Sequence, residues 1–127
     1  MQLGKVARAQ LVLQQLHQTL DPDSPELTSC HNTFLATLLE KAKEERAHVK
    51  TFFMWFEERT KAKWNVKPDA DTIALLLKCS LLVKEERDAQ IYIRNYVKLA
   101  NQQNIPMKDV FDRAIFAPED IKYIAMV

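Results

Sequence analysis

Glycine is almost missing from this chain: Gly4 is the only one in 127 residues. Loops that cradle phosphates use glycine for tight turns and close backbone approach, so Walker-A and dinucleotide fingerprints are excluded. Tight hairpin turns need residues at ease with positive φ, and their shortage argues against a strand-rich fold. Cysteine is scarce too. Cys30 and Cys79, the 2 present, have neither metal-ligand spacing nor a disulfide framework, and both read as reduced, buried, small apolar residues. An excess of charge of one sign is also lacking. The 18 basic residues face 17 acidic ones, a net charge of +1, so contact with a polyanion has to rest on a local cluster. No apolar run approaches membrane-spanning length, so no membrane contact is expected, and the first residues lack a signal peptide's long apolar core.

Catalytic signatures are absent as well. His17, His31 and His48 are dispersed and form no HExxH or His/Cys ligand pattern, so neither a metal nor another cofactor is expected. No nucleophile elbow occurs. Asp21 and Asp23 flank a proline, where they read as turn-capping residues rather than metal ligands. No catalytic residue and no small-molecule substrate is assigned.

What the chain does have is apolar content, 47%, enough for one sizeable core, arranged at helical spacing and interrupted at prolines. A first helix is expected over about Lys5–Leu20, with Val6, Leu13, Leu16 and Leu20 near one stripe. After "DPDSPE", a second starts near Thr28–Ser29 and carries Phe34, Leu35, Leu38 and Leu39 on one face. A third spans roughly Glu45–Lys61; its "FFMWF" (Phe52–Phe56) is too wide for one stripe and predicts packing on two sides. A fourth covers about Asp71–Leu82 and a fifth about Glu86–Gln102, and a short sixth bears Val110, Phe111, Ile115 and Phe116. "APED" then places a proline and two acids where a last helix begins.

The tetrapeptide "KEER" occurs at Lys43–Arg46 and again at Lys84–Arg87, 41 residues apart. The helices around it align as well. "CHNTFLATLL" from Cys30 matches "TIALLLKCSL" from Thr72, and "AQLVLQQL" (Ala9–Leu16) matches "AQIYIRNY" (Ala89–Tyr96) at an offset of 80. A helix pair recurring every forty or so residues is the implied unit. Such pairs bury a continuous core only by stacking on neighbours, so the chain reads as a piece of a longer protein.

The repeats resemble the pentatricopeptide family. "SCHNTFL" (Ser29–Leu35) is similar to the opening of that family's first helix, "NVKPDADTI" (Asn65–Ile73) to the end of its unit, and "LGKVARAQLVLQQL" (Leu3–Leu16) to its second helix. The two complete units exceed the usual length of about 35 residues. The closing "NIPMKDVFDRAIFAPEDIKYIAMV" and the earlier "FMWFEERTKAKWNVKPDADTIALLLKCSLL" resemble the pentatricopeptide domain of mitochondrial, phage-type RNA polymerases. The resemblance implies an all-α, right-handed solenoid of stacked hairpins with six or seven helices. It divides into a partial repeat (1–27), repeats at 28–69 and 70–108, and closing helices (109–127). It also implies a non-catalytic module in the mitochondrial matrix. Its partners would be the parent enzyme's catalytic domain, single-stranded RNA or upstream DNA, and transcription or RNA-processing factors.

In RNA-reading members of that family the fifth and last residues of a unit meet a base edge; here those positions fall on Asn32 and Asp69, and next on Ala74 and Lys108. The amide and acid suit base recognition, but both also suit plain helix-start hydrogen bonding, which is the preferred reading. "RTKAKWNVK" gathers Arg59, Lys61, Lys63 and Lys67 around Trp64. Basic residues beside an aromatic ring can hold phosphates and stack a base; the simpler reading is a solvated connection whose tryptophan packs on the next helix. Two other functions stay open: an organellar pentatricopeptide protein of RNA processing or translation, and a protein-binding scaffold of tetratricopeptide type.

Overall fold

A computed structural model describes residues 2–21, 23–113 and 115–127, with side chains from Ala7 onward. Seven α-helices occur among the described residues, and no strand: α1 (Gln2–Thr19), α2 (Pro25–Glu44), α3 (His48–Trp55), α4 (Ala70–Ser80), α5 (Glu86–Gln102), α6 (Met107–Phe111) and α7 (Pro118–Met126). The bounds of α5 match expectation. Helix α2 starts earlier than expected because Pro25 occupies its first turn, where the missing N–H costs nothing and the fixed φ is already helical. The short α6 ends at Phe111, so Ile115 and Phe116 lie in the turn before α7 rather than on a helix. Pro22 and the Val6 side chain lie outside the described residues.

The third helix departs most from its expected form. After Trp55 it continues without interruption as a π-helix over Phe56–Lys63. The wider winding is closed by Trp64 N–H donating to the Arg59 carbonyl at 2.9 Å and Val66 N–H to the Thr60 carbonyl at 2.8 Å. π-helical winding is rare and clusters at functional sites.

Helices α2 and α3 pack together as one hairpin and α4 and α5 as the next; α2 stacks on α4, α1 lies against α2, and α6 against α4. The burial pattern recurs with the chain. Leu13, Phe53 and Ile93, each 40 residues from the next, are 2%, 5% and 1% exposed. Their neighbours follow suit: Ala9, Val49 and Ala89 on one side and Leu16, Phe56 and Tyr96 on the other are all half or fully buried. In the preceding helices His31 and Ile73, and Leu35 and Leu77, are fully buried at a spacing of 42. Each fully buried side chain of this size stabilises by about 1.5–3 kcal/mol.

The aromatic run does pack on two sides. Trp55 meets Phe34 of α2 at 4.4 Å between ring centres, whereas Phe53 stacks on Tyr92 of α5 at 4.2 Å and 5°. Both KEER segments lie at the turn between the helices of a hairpin. The first closes α2 and the second opens α5. Arg46 of the first donates to the Leu82 carbonyl at 2.7 Å, fastening one turn to the other. Of the two thiols expected to be buried, only Cys79 is; Cys30 is half-exposed, against the seam where α1 meets α2. Burial pushes the Cys79 thiol up to about 12.

With glycine so scarce, asparagine does its work. The π-helical segment and α5 end just before Asn65 (φ 49°) and Asn104 (φ 59°), both left-handed, the conformation that ends a helix and that only glycine and asparagine adopt at little cost. Ile105 N–H then donates back to the Ala100 carbonyl at 2.9 Å, as Val66 N–H does to Thr60. Asn65→Val should therefore destabilise by about 1–2 kcal/mol, and Asn65→Gly should be neutral or slightly stabilising. Urea midpoints of the two variants check this: equal midpoints would mean that the turn does not depend on its left-handed residue.

Candidate nucleic-acid interface

The wide winding of the π-helical segment turns Thr60 inward and leaves Arg59, Lys61 and Lys63 exposed beside it. Arg59 lies 5.8 Å from the centre of the Trp55 ring and Lys63 5.1 Å from that of Trp64, so ring faces hold two of the three cations in place. Lys61 pairs with Glu57 at 3.5 Å, one turn back and in solvent, a contact worth little. Lys67 is exposed just beyond, while its carbonyl accepts from the Thr28 hydroxyl at 2.8 Å. Arg59 and Lys63 thus sit on adjacent rings, Trp55 and Trp64, whose centres are 6.1 Å apart, whereas Lys61 and its partner Glu57 lie towards Tyr96 of α5.

Trp64 is not a free platform. His17 of α1 stacks on it at 4.4 Å and 15°, and His31 meets it edge-on at 5.3 Å. The same two histidines, dispersed in the chain, come together here: their Nε2 atoms are 2.8 Å apart, and His31 Nδ1 lies 3.1 Å from the Thr60 hydroxyl. At 2.8 Å one imidazole donates and the other accepts, so at least one ring is neutral. Burial, then the neighbouring His17, holds His31 down to about 4; burial and Lys63 lower His17. Among the described residues no third donor joins the two rings in a cluster able to hold a metal. Nothing in the spacing of His17, His31 and Thr60 marks this relay, because three separate elements deliver its members.

Asn32 and Asp69 are also brought together. Asn32 Nδ2 donates to Asp69 Oδ1 at 2.9 Å, and the Thr72 hydroxyl donates to Asn32 Oδ1 at 2.6 Å. Asp69 caps α4: its Oδ1 accepts Thr72 N–H at 3.0 Å, and its own N–H donates to the Thr72 hydroxyl at 3.2 Å, a capping box with threonine in the usual glutamate place. The helix-start reading of Asp69 therefore describes its geometry. Asn32 is 9% exposed. Both residues line a shallow groove of about 370 Å³ with Asp71, Ala74 and Arg113, where Arg113 Nε stands 2.7 Å from Asp71 Oδ1. Ala74 is buried and Lys108 is exposed on α6. Two turns further along α4 from Asp71, Lys78 pairs with Asp120 of α7 at 2.7 Å. Burial opposes ionisation of Asp120, but the bonds from Lys78 and the Ala117 N–H outweigh it and hold the carboxyl below its usual value.

A stack of helix pairs joined through shared apolar faces defines a helical-repeat domain. A family model described as "RPO41-like, TPR repeats" matches residues 1–127. The chain belongs to that family, the repeat domain from the N-terminal part of mitochondrial phage-type RNA polymerases. The family's description names tetratricopeptide repeats where the sequence resembles pentatricopeptide ones; both are stacked helix pairs. No curated protein and no solved structure matches the chain.

Two measurements follow. The folded state holds His31 below its ordinary value of 6.5, so the unfolded chain takes up the proton first. Stability is complete above about pH 6.5 and is lost progressively towards about pH 4, by up to about 3 kcal/mol. Thermal midpoints should fall between about pH 7 and pH 5, and His31→Gln should flatten that slope; an unchanged slope would show that the relay does not titrate as its burial requires. Asp69→Ala should cost about 1 kcal/mol and Asp69→Asn less, read as shifts in urea midpoint.

Proposed function

We propose that this chain is a non-catalytic module of a mitochondrial RNA polymerase, acting in the matrix. It packs on the polymerase body and holds single-stranded RNA against the π-helical segment. The observation that carries this reading is the cluster of Arg59, Lys61 and Lys63, exposed on one turn of a chain whose net charge is only +1. Phosphate contacts supply most non-specific affinity for nucleic acid, and clustered cations with ordered side chains are what they need. Lys67 extends the track, and the edge of Trp64 left by His17 offers apolar surface to a base. Asn32 and Asp69 add a base-edge contact in the neighbouring groove, through Asp69 Oδ2, which no described hydrogen bond uses. The repeat division of 1–27, 28–69, 70–108 and 109–127 belongs to the same reading. Upstream DNA and transcription-coupled factors are further contacts of the module.

Fluorescence anisotropy with a labelled single-stranded RNA tests it. Three or four phosphate contacts predict that affinity falls with salt at a logarithmic slope of about −2 to −3. Reversal of Arg59, Lys61 and Lys63 to glutamate should weaken binding by at least about tenfold and flatten the slope. Absence of binding at low salt, or indifference to the reversals, would remove RNA contact at this surface and leave family membership untouched. Tighter binding of a duplex DNA than of RNA would redirect the same surface to upstream DNA.

A further inference from the structure

A second groove shares no residue with the basic π-helical surface. It lies where the second helices of two successive hairpins begin, encloses about 700 Å³, and is lined by residues of α3, α5 and the turn Leu82–Lys84. Its floor is apolar: Val49, Val83 and the stacked pair of Phe53 and Tyr92, with Ile91, 46% exposed, along one wall. Its rim is cationic. Arg46, Lys50 and Lys84 line it against a single acid, Asp88; the glutamates of the two KEER segments do not. Among the described residues neither Lys50 nor Lys84 has an ion-pair partner. Arg46 is fixed by its bond to the Leu82 carbonyl.

We infer that this groove binds a short acidic segment of a partner protein carrying one or two bulky apolar side chains. Three cations around a low-dielectric floor focus positive potential on a concave surface, which selects an anionic ligand. The floor selects against a nucleic acid. A base needs an open aromatic face to stack on, but the Phe53 ring is 5% exposed and covers one face of Tyr92, and the rest of the apolar lining is aliphatic, Val49, Val83 and Ile91. A leucine or phenylalanine side chain fills such a floor, and flanking carboxylates reach Lys50 and Lys84 at the rim, the usual division between a buried anchor and a charged surround. The volume lies within the range of pockets that hold a few residues' side chains. This inference is independent of RNA binding at the π-helical segment.

The probe is a fluorescein-labelled peptide of aspartates and glutamates around a central Leu-Phe pair, titrated with the whole chain and followed by anisotropy. Binding should weaken with salt and with replacement of the Leu-Phe pair by alanines. Lys50→Glu with Lys84→Glu should raise Kd by at least about tenfold, and Ile91→Asp should do likewise. Lys61→Glu with Lys63→Glu should leave it unchanged; all five positions are exposed, and far-ultraviolet circular dichroism checks that each variant stays folded. The proposal is overturned by no binding at low salt, by equal binding of the alanine peptide, or by loss through Lys61 and Lys63 instead of Lys50 and Lys84. A single-stranded RNA that binds through Lys50 and Lys84 while the peptide does not would also overturn it.

Discussion

No hairpin of this chain buries its own apolar face; each is covered by the next, and that shared burial is the constraint on which the remaining structure depends. Leu13, Phe53 and Ile93 occupy the same place in three alternate helices, α1, α3 and α5, and the aromatic run of α3 reaches towards α2 through Trp55 and towards α5 through Phe53. Removing apolar surface from water is the dominant favourable contribution to folding. In a stack it acts only between neighbours. Positions that look redundant within one helix, such as the consecutive aromatics of "FFMWF", are required because two interfaces meet there.

Polar side chains complete the stacking. Arg46 joins one inter-helix turn to the next, Asn32 joins α2 to the cap of α4, and Lys78 joins α4 to α7. Each spans roughly one repeat, so the polar bonds set the register of a stack that apolar contact alone would hold less specifically. The His17–His31–Thr60 relay does the same for α1 and the π-helical segment, with the added condition that at least one of its imidazoles stays uncharged.

Two surfaces follow from this architecture. The π-helical segment carries its basic residues outward because the extra backbone in each turn rotates Thr60 in to meet His31. The groove lies at the two KEER turns, beside the contact between Phe53 of α3 and Tyr92 of α5. Each surface carries exposed cations, although the molecule as a whole is almost neutral.

Helix number, hairpin order and the repeat were legible in the chain, because spacings of three and four and prolines at breaks are local properties of consecutive residues. So were the cluster around Trp64 and the cap at Asp69, each contained within a few positions. Folding alone decided the meeting of His17 with His31, the covering of the Trp64 face, the half-exposure of Cys30 and the groove between Arg46 and Lys84. These depend on how far one helix is rotated and shifted against another, a quantity set by the packing of side chains distant in sequence. The π-helical winding sits between the two. Its aromatic and basic residues were visible, but the choice of a wider turn follows from where Phe56, Thr60 and Trp64 find space against neighbouring helices.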